Sequence, residues 1–173
     1  MTQRVDLATV MDRLAIDALI TDYAVAVDDG DWLAYRSLFS PDGRADYSSA
    51  GGVEGAADEV AEWLADTLQL FPMRQHLIVN RRLRFGPLDG DVGDTAEVQA
   101  DYTNPMRTWP DGGAPDFECG GRYVFSVLRT RIGWRVTRVV VREKWRRIAI
   151  EGRDADGLRE QPPAPRPQPD HSS

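Results

Sequence analysis

His76, Asp28 and Tyr23 are the residues of this chain whose types suit proton-transfer chemistry. A neutral imidazole is a competent base near pH 7. A carboxylate bonded to its other ring nitrogen fixes the tautomer and stabilises the imidazolium that forms when a proton is taken. A tyrosine hydroxyl can donate to an oxygen on which negative charge develops. Abstraction of a proton beside a carbonyl, followed by loss of a β-hydroxyl, needs no metal, nucleotide or covalent adduct. Each residue also has a plainer reading. A lone histidine near a strand start often serves as a hydrogen-bonded structural residue, and Asp28 clusters with Asp29 and Asp31 as if in a capping or solvated acidic turn.

Composition narrows the chemistry further. The chain has 173 residues, one cysteine (Cys119) and two histidines, of which His171 lies three positions from the end in Pro-rich sequence. Zinc sites draw several ligands from Cys and His, so neither a structural nor a catalytic zinc site is expected, and an intrachain disulfide is excluded. Haem and iron–sulfur ligation are not expected either, and no cofactor or metal is implied. Cys119 reads as a small buried hydrophobe. The net charge of −7, from 28 Asp plus Glu against 21 Lys plus Arg, opposes a nucleic-acid partner. No stretch approaches the eighteen apolar residues of a membrane span, and Met1 to Asp6 opens no signal-peptide-like run, so a cytoplasmic protein without a membrane partner is expected.

The elements that would carry these residues are legible from periodicity. Val10, Leu14, Leu19, Ile20, Tyr23 and Val27 recur at helical spacing over residues 6–28, and Asp29-Gly30 ends that helix. Asp28 then sits at its C-terminal end, with Tyr23 about 140° around the axis, so both can flank one cavity if the helix packs across a sheet. Asp31 is placed to cap a short helix over 32–39, Ser40-Pro41-Asp42-Gly43 reads as a turn, and a brief strand covers 45–47. A third helix spans about 56–70 and stops before Pro72. Beyond it the period changes to that of strands over 75–85, 95–109, 121–130 and 134–145, the last two joined by Arg131-Ile132-Gly133. Alternation puts His76 on one face with Ile78 and Asn80, opposite Leu77 and Val79. Helices first and long antiparallel strands afterwards predict one α+β domain over 1–150. Residues 151–173, with Pro162, Pro163, Pro165, Pro167 and Pro169, read as a disordered tail, a PxxP-type ligand being the functional alternative.

Several motifs in order carry a family resemblance. They are Tyr23-x4-Asp28-x2-Asp31-Trp32, Leu38-Phe39-Ser40-Pro41-Asp42-Gly43, Ala45-Asp46-Tyr47, His76-Leu77-Ile78-Val79-Asn80, Gly120-Gly121-Arg122-Tyr123 and Gly133-Trp134-Arg135-Val136. From about residue 9 to 150 the chain resembles the SnoaL-like branch of the NTF2-like superfamily, in particular proteins of the scytalone dehydratase and bile acid 7α-dehydratase type. The resemblance implies a cone-shaped α+β barrel, with three helices on a highly curved, mainly antiparallel sheet, and a homodimer formed through the outer sheet face. It also implies that Asp28 and His76 occupy the positions of the Asp/His dyad of the elimination enzymes, with Tyr23 and Tyr47 as pocket tyrosines.

The function this implies is a cofactor-independent lyase, a dehydratase acting on a hydroxylated polycyclic, steroid-like or polyketide small molecule. An isomerase or polyketide cyclase using the same pair is the close variant. A non-catalytic ligand-binding protein, or a counterpart of the small subunits of ring-hydroxylating dioxygenases, is the alternative from another class. Trp63, Phe71, Met73, Tyr102 and Phe117 are the apolar candidates for lining the cavity; Asn80, on the face of His76, and Arg142 are the polar ones. Asp101 and Arg138 are further candidates for an assisting acid and arginine from the later strands, where one slip of register reverses the facing side.

Overall fold

The structure is a computed structural model, described here for residues 7–86, 94–109 and 113–149. Three helices pack against a strongly curled mixed sheet to form a half-barrel, the cone-shaped α+β architecture of the NTF2-like fold. Helix α1 (Leu7–Asp29) crosses the concave face and is followed by α2 (Trp32–Ser37), β1 (Phe39–Asp46), β2 (Glu54–Ala56) and α3 (Ala57–Leu68). The remainder is strand: β3 (Met73–Arg74), β4 (Leu77–Phe85), β5 (Thr95–Arg107), β6 (Phe117–Thr130) and β7 (Gly133–Ile148). The sheet order is β2-β1-β7-β6-β5-β3, with β4 also paired to β5. Only β1 and β7 run parallel among these pairs.

Four of the six residues that set the helical pattern of α1 are buried. Ile16, Leu19, Ile20, Tyr23, Ala24, Ala26 and Val27 face the core, but Val10 and Leu14 are exposed, and in these first turns it is Asp12 that meets the sheet, bonded to Arg129 and Trp134. The C-terminal end is fixed by main-chain geometry. Gly30 takes φ +69°, its N–H donates to the Val27 carbonyl (3.3 Å), and the Asp31 N–H donates to the Ala26 carbonyl (2.9 Å). This paired reverse hydrogen bonding is a Schellman cap, and it needs a residue without Cβ strain at the left-handed position. Asp31 then caps α2 by accepting the Ala34 N–H at 2.9 Å. Ser40 to Gly43 is an outward excursion carried within β1, because pairing with β7 jumps from Phe39↔Val136 to Arg44↔Arg138.

Alternation is regular along β5, where every second residue from Ala96 to Met106 is buried. Three interruptions break the parity elsewhere. Pairing of β4 with β5 shifts between Val79 and Arg82, where Asn80 adopts φ +52°; pairing of β6 with β7 shifts between Gly120 and Gly121 and again between Ser126 and Val127. Such bulges bend the strand and re-aim the side chains beyond them. The core under the helices is aromatic at its centre: Tyr23, Tyr35, Tyr123 and Phe125 are each at most 1% exposed, with ring centroids of successive neighbours 5.2–5.7 Å apart. The described residues contain no helix long and apolar enough to cross a membrane. The proposed Pro-rich tail, 151–173, lies outside the described residues.

The two adjacent glycines of β6 separate backbone from side-chain crowding. A Cβ at Gly121 would lie 2.1 Å from the Arg142 carbonyl oxygen, whereas one at Gly120 would meet the indole of Trp145, a side chain 45% exposed and free to swing out. Gly121→Ala is expected to cost about 1–3 kcal/mol in urea unfolding, as overpacking against fixed groups does, and Gly120→Ala less. Equal losses for the two variants would contradict this packing.

Candidate active site

Asp28 lies in the last turn of α1, where a carboxylate faces the negative end of the helix dipole and is disfavoured unless something binds it. His76 supplies that binding at two points. Its backbone N–H donates to Asp28 Oδ2 (2.7 Å), and its ring Nδ1–H donates to Asp28 Oδ1 (2.6 Å). The His76 side chain is 7% exposed and that of Asp28 19%. Of the two readings open for Asp28, capping therefore falls to Asp31, while Asp28 turns inward to the histidine.

Arg74 braces the same corner: Nε donates to the Val27 carbonyl (2.9 Å), and Nη1 donates to the carbonyls of Phe71 (3.0 Å) and Leu68 (3.3 Å). One guanidinium thus ties the end of α1 to the end of α3 directly before His76, a use of its rigid donor fork that an ammonium would not reproduce.

With its proton on Nδ1, neutral His76 presents a lone pair at Nε2. Asn104 of β5 occupies it, Nδ2 donating at 3.0 Å. His76 and Asn104 both line a cavity of about 350 Å³ enclosed by α3, the turn after β1 and the inner faces of β5, β6 and β7. That volume is at the low end of the roughly 300–1,000 Å³ typical of small-molecule sites. Most of the wall is apolar or aromatic, from Trp63, Phe71, Tyr102, Phe117 and Tyr123 among others. A shallower depression of about 450 Å³, lined by residues such as Arg84, Glu97, Ser126 and Thr137, carries no comparable acid–base pair.

Tyr47 lines the cavity, and its hydroxyl is in contact with that of Tyr23. Burial raises both phenols well above the usual tyrosine value, so each stays protonated and acts as a hydrogen-bond donor rather than a base. Tyr23 itself is fully buried and absent from the cavity wall; the expectation of a direct substrate contact from Tyr23 gives way to a role behind Tyr47. Cys119 was expected to be buried and is, but it also lines the cavity, and burial pushes its thiol up to about 11.

Of the expected lining residues, Trp63, Phe71, Tyr102 and Phe117 are in the wall with His76 and Tyr47, and Met73 is not. The bulge in β4 turns Asn80 outward, where it donates to Asp101 Oδ2 at 3.3 Å and is exposed. Asp101 is on the same outer side, paired with Arg122 (2.7 Å), and Arg138 pairs with Glu54 (3.1 Å). Arg142 is exposed and stands opposite Arg122 in the register, away from the cavity.

The charged groups in the wall are instead Glu143 and Arg146, joined by Nε–Oε1 (3.0 Å) and Nη2–Oε2 (2.8 Å) bonds. Arg146 also donates to the Ala50 carbonyl (2.7 Å) and lies over the Phe117 ring at 5.3 Å, strapping β7 to the turn after β1. Strict alternation cannot put residues three apart on one face; the bulge opposite Gly120 and Gly121, which leaves Lys144 unpaired, makes it so. Asn104 was also missed, although it continues the alternation of Ala100 and Tyr102 and could have been found by extending it.

Comparison with known proteins agrees with this fold. The model of the SnoaL-like domain matches residues 8–140. An uncharacterized protein of Mycobacterium tuberculosis (strain ATCC 25618 / H37Rv) is 34% identical over 133 residues, 77% of this chain and 86% of that one. Among solved structures, a provisionally named aromatic ring hydroxylase from Novosphingobium aromaticivorans is 28% identical with a TM-score of 0.62, covering 82% of this chain and 91% of its own. A provisionally named scytalone dehydratase from Novosphingobium aromaticivorans DSM 12444 has a TM-score of 0.66 at 18% identity, over 84% and 96% of the two chains. The hexachlorocyclohexane dehydrochlorinase LinA-type3 from Novosphingobium barchaimii LL02 has a TM-score of 0.69 at 18% identity, over 86% and 96%. With the domain model covering residues 8–140 and a relative 34% identical over 133 residues, the chain belongs to the SnoaL-like domain family.

Proposed function

We propose that the protein is a cofactor-independent lyase, a dehydratase that converts a small hydroxylated ring ketone into the conjugated enone. The observation that carries this reading is the orientation of His76: Asp28 holds its Nδ1–H, which leaves Nε2 as the basic nitrogen beside an apolar cavity. Nε2 takes the proton from the carbon next to the carbonyl, and Asp28 stabilises the imidazolium. The electron pair of that C–H bond forms the C=C bond as the C–O bond to the β-hydroxyl breaks. The departing oxygen recovers the proton from His76, which releases water and returns the imidazole to its neutral form. Tyr47, a protonated donor supported from behind by Tyr23, stabilises the enolate-like oxygen. Arg146, held by Glu143, offers donors on another wall of the cavity.

The names of structural neighbours support eliminations on this fold: one is called a scytalone dehydratase and another a dehydrochlorinase. Return of the proton to a different carbon would make the same pair an isomerase, and attack of the carbanion on a second carbonyl would make it a cyclase. The second reading is a non-catalytic subunit of a larger oxygenase; one similar structure carries the provisional name of an aromatic ring hydroxylase. Half-exposed Leu77, Val79 and Trp145 on strands of the open sheet support a homodimer as the assembly. Size-exclusion chromatography of native protein separates the two, a homodimer favouring the lyase and a large hetero-oligomer the subunit.

Turnover is read as enone absorbance from a panel of one- to three-ring β-hydroxy ketones. His76→Ala is expected to lower kcat/KM by about 10²- to 10⁴-fold, the range for a positioned acid–base group, without unfolding the protein. Tyr47→Phe should cost more than Tyr23→Phe, because only Tyr47 reaches the cavity. Wild-type turnover in His76→Ala would end the mechanism.

Cys119 gives a pH-dependent readout of the same cavity. A thiol held near 11 is mostly protonated below that value, so its alkylation by iodoacetamide should be slow at pH 7 and rise about tenfold per pH unit between pH 7 and 9. A cavity ligand should slow it. A rate that is flat over this range would contradict the buried, protonated thiol.

A further inference from the structure

The wall of the cavity includes a residue with a buried acceptor that nothing among the described residues satisfies. Asn104 is 4% exposed, and its Oδ1 has no hydrogen-bond partner. The orientation of the amide follows from its neighbours. Asp28 can bond to Nδ1 only if that nitrogen carries the proton, so the Nε2 of neutral His76 is an acceptor, and Asn104 must face it with Nδ2. Oδ1 is what remains. A buried carbonyl oxygen left without a donor costs about 1–3 kcal/mol, a cost that native proteins seldom leave uncompensated.

We propose that Asn104 Oδ1 is the docking point for the hydroxyl of the substrate, so that this residue makes the site selective for alcohols over halides and hydrocarbons of the same shape. The inference deepens the dehydratase reading above and rests on it for the identity of the leaving group. A hydroxyl is both donor and acceptor: it gives its proton to Oδ1 and keeps its oxygen free to receive the proton that His76 returns. A chlorine atom of similar size has no proton to give, and it would leave the buried acceptor unpaired. The same amide couples binding to catalysis. While Nδ2 rests on Nε2 the lone pair is engaged, and the base must shed this contact before it can take a proton from carbon. A ligand hydroxyl on Oδ1 draws the amide towards the ligand as it binds.

The test is binding of an inert pair that lacks an activated proton, 2-tetralol and 2-chlorotetralin, measured by calorimetry. The wild type is expected to prefer the alcohol by about 10- to 100-fold, which corresponds to satisfying one buried acceptor. Asn104→Leu, close in volume but without polar atoms, should bring the ratio near one by tightening the halide and weakening the alcohol. Because that variant removes a contact to His76 and has to fold, the wild type supplies an independent readout: the Asn104 side-chain amide resonances should shift on addition of 2-tetralol and stay in place with 2-chlorotetralin. Equal affinities in the wild type, a full preference retained in folded Asn104→Leu, or amide resonances that respond alike to both ligands would overturn the proposal. Its failure is distinct from that of the lyase reading. Alcohol preference without turnover of any β-hydroxy ketone would remove the lyase alone, whereas turnover without alcohol preference would remove the role of Asn104.

Discussion

A single carboxylate holds the site together. Asp28 accepts both the backbone N–H and the ring Nδ1–H of His76, so it sets the position of the residue and the tautomer of its ring in one contact between α1 and the start of β4. Hydrogen bonds to a charged partner are worth about 1.5–3 kcal/mol each in stability, and here that energy offsets the placement of an anion at the unfavourable end of a helix. The surrounding structure serves the same corner. The Schellman cap at Gly30 stops α1 at Asp29, Asp31 begins α2 at once, and Arg74 ties the carbonyls of Val27, Leu68 and Phe71 together.

The strands then decide what else the base meets. Regular alternation along β5 brings Tyr102 and Asn104 inward, and the shifted pairing of β6 with β7 brings Glu143 and Arg146 to the same cavity. The result is a site whose charged groups all have partners: Asp28 is held by two donors of His76, and Glu143 is paired with Arg146. An apolar ligand can enter without burying a lone charge, and the neutral donors and acceptors of Tyr47 and Asn104 remain to orient it. Behind Tyr47, the tilted and edge-on rings of Tyr23, Tyr35, Tyr123 and Phe125 leave the hydroxyl little freedom to turn away.

Much of this was legible from the sequence, for reasons that also mark where reading stops. Helical periodicity ending at Asp29-Gly30 placed Asp28 at a helix terminus, and the change of period after Pro72 placed His76 at a strand start; both are local signals. Tyr47, Trp63, Phe71, Tyr102 and Phe117 followed from family pattern or from the need for an apolar wall. The errors fall at interruptions of regular pairing. Asn80 was assigned by extrapolating alternation across a bulge, and Arg142 was chosen where the bulge at Lys144 makes Arg146 the inward arginine. A bulge adds one residue without changing hydrophobic composition much, so its position depends on tertiary pairing and leaves little trace in the chain. Tyr23 was placed correctly in the fold and wrongly at the surface of the cavity, because helix periodicity gives the direction of a side chain but not what packs in front of it.

The central claim is that Asp28 fixes His76 with its proton on Nδ1 and its basic nitrogen turned to the cavity. Nitrogen-15 NMR of the His76 imidazole in the unliganded protein, at a pH where the ring is neutral, measures this directly. The account predicts a protonated Nδ1 and an unprotonated Nε2 in the wild type, with the distribution of the two tautomers altered in Asp28→Asn. A neutral ring found with its proton on Nε2 in the wild type would contradict it.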